Sequence, residues 1–139
     1  MGQSATPEFL ALQTALRGRY ILECELGRGG MGIVFLGRDV ALERPVAIKL
    51  LPPHFAGLPE IRARFLQEAR TAARLAHPHI VPIHAVETNG DLACFVMSYV
   101  AGKTLAEVVR EDGPLPPAVV GRMVQEVAWA LAYAHQQGV

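Results

Sequence analysis

Apolar residues along this chain recur in two rhythms, every second position in some stretches and three or four apart in others, and the changes of rhythm mark its elements. Residues 8–17 put Phe9, Leu12 and Leu16 on one side of a short amphipathic helix, after a loose terminus over residues 1–7. Residues 20–26 and 33–39 are rich in β-branched and aromatic side chains and read as two strands flanking a run of glycines. Ala41-Leu42-Glu43-Arg44 turns the chain into a third strand that starts at Pro45 and ends at Pro52-Pro53. Residues 58–76 form a long helix, with Pro59 near its first turn, where proline is tolerated. His77-Pro78 ends that helix, because the residue before proline avoids the helical region. Two more strands, 80–87 and 92–100, meet through Asn89-Gly90-Asp91, a hairpin signal. Gly102 breaks the last strand, Thr104 caps a short helix to Glu111, and residues 116–137 make a second long helix stopped by Gly138. The order predicts an α+β fold: a five-stranded antiparallel sheet with a helix packed on one face, then two more helices.

Two charged residues sit where this pattern expects apolar ones. At about 100° per residue, Ile61, Phe65, Ala69, Ala72, Leu75 and Ala76 share one face of the first long helix, and Glu60, Gln67, Arg70 and Arg74 the other. Glu68 falls between Leu75 and Ile61, near the middle of the apolar face, where a carboxylate without a partner is costly to desolvate. Lys49 is the only basic side chain in the apolar run 46–51, where an unpaired ammonium is equally out of place. An ion pair between Lys49 and Glu68 accounts for both. The alternatives are a lysine with its stem along the solvent face of the sheet and a glutamate at the helix edge that bends out to water.

The glycines between the first two strands read Gly27-Arg28-Gly29-Gly30-Met31-Gly32, followed by Ile33-Val34. By itself G-x-G-x-x-G is a weak signal with two physical meanings. In a dinucleotide-binding unit the glycines open a helix whose N-terminus meets a pyrophosphate. Here Ile33-Val34-Phe35-Leu36 has no helical period, so the glycines lie at the tip of a hairpin that can fold over phosphates. Lysine occurs only at Lys49 and Lys103, and a compact ammonium at Lys49 suits contact with α- and β-phosphates.

Composition narrows the classes. At 139 residues, with 51% hydrophobic and 19% charged, the chain is long and apolar enough to bury a core. A net charge of zero argues against a nucleic-acid or membrane-surface binder, and the arginines of the first long helix read as a solvated face. There is no secretory signal and no run of bilayer-spanning length, which points to the cytoplasm while leaving open a transmembrane segment in a longer parent chain. Cys24 and Cys94 read as reduced core residues, His77-Pro78-His79 as a structural turn rather than a metal site, and Trp129 with Tyr133 as packing.

These residues together resemble the N-terminal half of a protein kinase domain, most closely the bacterial serine/threonine kinases of eukaryotic type. Leu26-Gly27-Arg28-Gly29-Gly30-Met31-Gly32-Ile33-Val34 looks like the nucleotide-covering loop, with Val34 over the adenine. Val46-Ala47-Ile48-Lys49 matches the V-A-I-K strand, which implies that Ala47 touches adenine and Lys49 the phosphates; Glu68 stands in the place of the glutamate that pairs with this lysine. Met97 looks like the gatekeeper, with the backbone of Ser98, Tyr99 and Val100 against the adenine edge; Ser98 stands where an acidic residue is common. The resemblance implies an N-terminal extension (1–18), a kinase N-lobe (19–97), a hinge (98–102) and the start of a C-lobe (103–139). It further implies ATP as ligand and a protein substrate, with Mg2+ expected only in the complete kinase.

No H-R-D, D-F-G or A-P-E occurs in the chain, so the general base, the metal-holding residues and the activation segment of that family are missing from it. The expectation is therefore the ATP-binding part of a serine/threonine kinase, truncated and inactive alone. A stand-alone non-catalytic nucleotide-binding or interaction module is the alternative, and a dinucleotide-binding oxidoreductase a distant third. On the last helix Val119, Val120, Met123, Val124, Val127, Ala130, Leu131 and Ala134 cover close to half the circumference, so it expects neighbours on more than one side.

Overall fold

The computed structural model describes residues 6–30 and 32–139; residues 1–5 of the predicted loose terminus, and Met31 in the glycine loop, lie outside them. The chain forms two compact units, Met1–Arg74 with Pro82–Tyr99, and Leu75–Val81 with Val100–Val139.

The first unit holds the predicted five-stranded antiparallel sheet, in the order β1-β2-β3-β5-β4. Its strands are β1 (Tyr20–Gly29), β2 (Gly32–Asp39), β3 (Arg44–Leu50), β4 (Ile83–Asn89) and β5 (Leu92–Ser98). Asp39 builds the β2–β3 turn by accepting the amides of Ala41 and Leu42 at 3.0 and 3.1 Å. Gly90, at φ +57°, supplies the left-handed residue in the turn between β4 and β5. Strand β4 starts at Ile83 rather than residue 80, because Pro82 has no amide for a ladder; its carbonyl accepts the Ser98 amide at 3.0 Å instead. Strand β5 stops at Ser98, opposite Val46; the next residue of β3 is Pro45, which has no amide to extend the ladder.

Both faces of the sheet are covered, where the sequence pattern predicts a helix on one. Helix α1 (Pro7–Ala15) lies on the face carrying Ile33, Phe35, Ile48 and Val96. Leu12 and Leu16 are 0% and 1% exposed there, and Phe9 meets the Phe35 ring edge-on at 5.8 Å. The opposite face belongs to α3 (Pro59–Ala72), preceded by the single turn α2 (Pro53–Ala56), which the sequence pattern does not announce. Helix α3 ends four residues short of the predicted 76. Beyond it the Ala76 amide donates to the Tyr133 hydroxyl at 3.1 Å, a tertiary partner in place of a helical one.

In the second unit α4 (Leu105–Asp112) begins with a reciprocal capping box between Thr104 and Glu107, and α5 (Pro117–Gln136) ends before Gly138 at φ +81°. Tyr133 packs on His77 at 5.4 Å, and His77 Nδ1 accepts the His79 amide at 3.1 Å, so this histidine pair is built into a turn as expected. Trp129 does not pack: it is 55% exposed.

Candidate functional site

Lys49 stands in the middle of the sheet, opposite Val34 on β2 and Phe95 on β5. Side chains alternate along a strand, so Val34, Ala47, Lys49, Phe95 and Met97 share one face. That face is the one α3 covers, because Phe95 stacks on Phe65 of α3 at 5.3 Å. The Lys49 ammonium lies 5.9 Å from the Phe95 ring centroid, within reach of a cation–π attraction.

The glycine hairpin closes over this lysine. Strands β1 and β2 stay paired as far as Gly29 and Gly32, three residues beyond the predicted end of β1. A Cβ at Gly32 would meet both Lys49 Cε and the Leu50 carbonyl oxygen at 3.0 Å. Only glycine lets the hairpin rest on the lysine stem. At Gly27, Gly29 and Gly30 a Cβ would meet nothing within 4 Å, which leaves the loop backbone open to close approach by a ligand.

Glu68 departs from expectation. Its carboxylate accepts from Arg64 Nε at 2.8 Å, one turn back on α3, and its side chain is 59% exposed; the pairs formed among the described residues do not join it to Lys49. The buried stripe of α3 runs through Phe65, Leu66 and Ala69, while Ile61, predicted inside, is exposed. Leu66 is drawn inward to a cluster with Leu51, Ala56 and Ala93, and Ala56 belongs to α2. The unforeseen helix therefore sets the rotation of α3 and carries Glu68 towards solvent. A cavity of about 310 Å³, lined among others by Gly30, Phe65, Arg64 and Glu68, lies between the loop tip and α3.

The remaining sequence-predicted positions divide by face and by prior commitments. Ala47 and Met97 are cross-strand partners that, with Val34, give the sheet an apolar floor beside Lys49. Ile33 is 1% exposed in the core on the α1 side, so its side chain points away from that floor. Leu26 is 45% exposed. The Ser98 amide is committed to the Pro82 carbonyl and its hydroxyl to His84 Nε2 at 3.0 Å. Tyr99 is half-buried and Val100 exposed. Cys94 is buried, its thiol pushed up to about 12 by desolvation, but Cys24 is exposed on edge strand β1 rather than in the core; both are free thiols. Among the described residues no three His, Cys, Asp or Glu gather at a point. No helix among them is long and apolar enough to cross a membrane.

A profile of the protein kinase domain matches residues 20–139. The serine/threonine-protein kinase PknB of Mycobacterium leprae is 42% identical over 128 residues, covering 89% of this chain and 21% of that protein. The kinase PrkC of Bacillus subtilis is 39% identical over 124 residues, 89% of this chain and 19% of its own length. In crystal, the PknI kinase domain of Mycobacterium tuberculosis superposes with a TM-score of 0.77 at 35% identity, covering 88% of this chain and 49% of that one. The chain belongs to the protein kinase family. It spans about a fifth of the curated relatives it matches and about half of that crystallised domain.

Four contributors escape a reading of motifs. Arg64 holds Glu68, a pairing that its spacing of four residues could have signalled. Phe95 carries Lys49 through a cross-strand register that nothing local announces. Glu8 and Glu25 both grip Arg28 in the glycine loop, and Glu8 does so from a helix outside residues 20–139.

Proposed function

We propose that this chain is the nucleotide-binding part of a serine/threonine protein kinase, in which the γ-phosphoryl group of ATP passes to a protein hydroxyl. The observation that carries the reading is the contact between Gly32 and the Lys49 stem, which makes the loop and the lysine one unit over the apolar floor of Val34, Ala47 and Met97. The open backbone at Gly27, Gly29 and Gly30 can approach phosphate oxygens closely, Lys49 supplies the counter-charge, and the floor takes the adenine. Tyr99 is the candidate at the edge of the base, because the Ser98 amide is committed to the Pro82 carbonyl. Magnesium, when bound in a complete kinase, neutralises charge on the phosphates; the residues of this chain position the nucleotide. Glu68 orients Lys49 once α3 turns to bring it inward, and the Arg64 pair belongs to the arrangement without that contact.

The test is titration with a non-hydrolysable ATP analogue, comparing the parent chain with Lys49→Met. Binding weakened tenfold or more in a variant with an unchanged melt is the expected result. Equal affinity in the two removes Lys49 from the phosphate site.

A further inference from the structure

We propose that helix α1 is a brace for the glycine-rich loop, with Glu8 as a positioning residue that acts through Arg28 to raise nucleotide affinity. The inference rests on the reading of this loop as a nucleotide cover. It starts from a helix that lies outside the residues matching the kinase profile and is nonetheless firmly seated. Leu12 and Leu16 are buried against the sheet. Gln13 accepts the Leu22 amide at 2.7 Å and donates to the Tyr20 carbonyl at 3.1 Å, satisfying backbone groups of the edge strand β1. Thr6 caps the helix by accepting the Phe9 amide at 3.3 Å.

From this fixed base the Glu8 carboxylate reaches Arg28 Nη1 at 3.2 Å. Glu25 takes the same guanidinium in a fork, Nε at 3.0 Å and Nη2 at 2.9 Å. Arg28 stands between Gly27 and Gly29, in a stretch whose glycines have no packing of their own. Among the described residues of the loop, its side chain alone forms hydrogen bonds. Glu25 moves with the hairpin and cannot hold it to anything else. Glu8 is on a separate element, so the Glu8–Arg28 bond ties the Arg28 side of the hairpin to α1, beside the hold that the β2–β3 ladder and the Gly32–Lys49 contact give the other side. A loop already ordered loses less freedom on closing over a ligand, which is how preorganisation raises affinity.

The experiment compares the parent chain, Glu8→Gln, Arg28→Gln and the double variant. Amide hydrogen exchange over residues 27–33 without nucleotide should quicken about two- to fivefold in Glu8→Gln, the scale of one exposed ion pair, with the global melt unchanged. The Kd for a non-hydrolysable ATP analogue should rise by a similar factor. Adding Glu8→Gln to Arg28→Gln should change neither quantity further, whereas a general effect on α1 would add in full. Loop exchange that is the same in Glu8→Gln and parent overturns the brace, and so does a double variant in which the effects simply add. Quickened exchange with unchanged Kd overturns the link to affinity. If the parent binds no nucleotide, the functional reading fails while the exchange data still decide the brace.

Discussion

Gly32 and Lys49 are coupled by contact, so their substitutions should differ sharply from those at neighbouring glycines. A methyl group at position 32 presses on the flexible Lys49 stem, which can yield, and on the Leu50 carbonyl, which cannot without breaking the β2–β3 ladder. Gly32→Ala should cost about 1–3 kcal/mol in denaturant melts. Gly29→Ala, with open space around its Cβ, should stay within about 0.5–1 kcal/mol. The two thiols offer a second contrast. Cys24 is exposed, whereas burial removes Cys94 from solvent and disfavours its thiolate. A thiol reagent at neutral pH should modify one cysteine in the native protein and the second only on unfolding; rapid native labelling of Cys94 would contradict the packing of β5.

At the level of elements, α3 determines what its residues can do. With Leu66 and Ala69 inward, Glu68 forms an exposed pair with Arg64, worth about 0.3–0.5 kcal/mol. Glu68→Gln should therefore barely shift the melt. A loss of several kcal/mol would mean instead that the carboxylate lies inside, against Lys49. The link between α1 and the hairpin has a defined pH range. The hydrogen bond from Arg28 holds the Glu25 carboxyl below its ordinary range, and backbone hydrogen bonding at the helix start, then Arg28, do the same for Glu8. Groups lowered in the folded state stabilise it above their unfolded value of 4.5, and that contribution fades as pH falls through the lower folded value. Loop exchange, corrected for the intrinsic rate, should hold steady from neutrality to about pH 4.5 and quicken only below it.

For the molecule as a whole, α5 dominates the expected solution behaviour. It buries Ala130 and Ala134, yet Val124, Val127 and Leu131, which follow one another at helical spacing, are 61%, 57% and 52% exposed, with Trp129 nearby on the same helix. A stripe of that kind on a free surface favours association. The purified 139-residue chain should scatter light as more than a monomer at micromolar concentration, and Val124→Glu with Leu131→Glu should return it to monomer. A dilution-stable monomeric parent chain would show that this face is satisfied without a second copy.

Local chemistry made much of this protein legible in its sequence. Strand, glycine hairpin, strand and V-A-I-K could be read because each depends on neighbours within a few residues, and so could the Thr104 cap and the Gly138 stop. The antiparallel pairings within β1-β2-β3 and β4-β5 followed from short turns that permit little else, and the β3–β5 pairing joins the two into one sheet. Three things required the tertiary structure. The rotation of α3 was decided by the contact of Leu66 with α2, and a stripe read from periodicity, with Glu68 near its middle, cannot report which neighbour wins. The placing of Lys49 over Phe95 was decided by a register between strands remote in sequence. The grip of Glu8 on Arg28 was decided by where α1 docks on the sheet. Periodicity records that a residue is buried or exposed, but not which surface meets it; that choice is made by packing, the step at which distant segments compete for the same face.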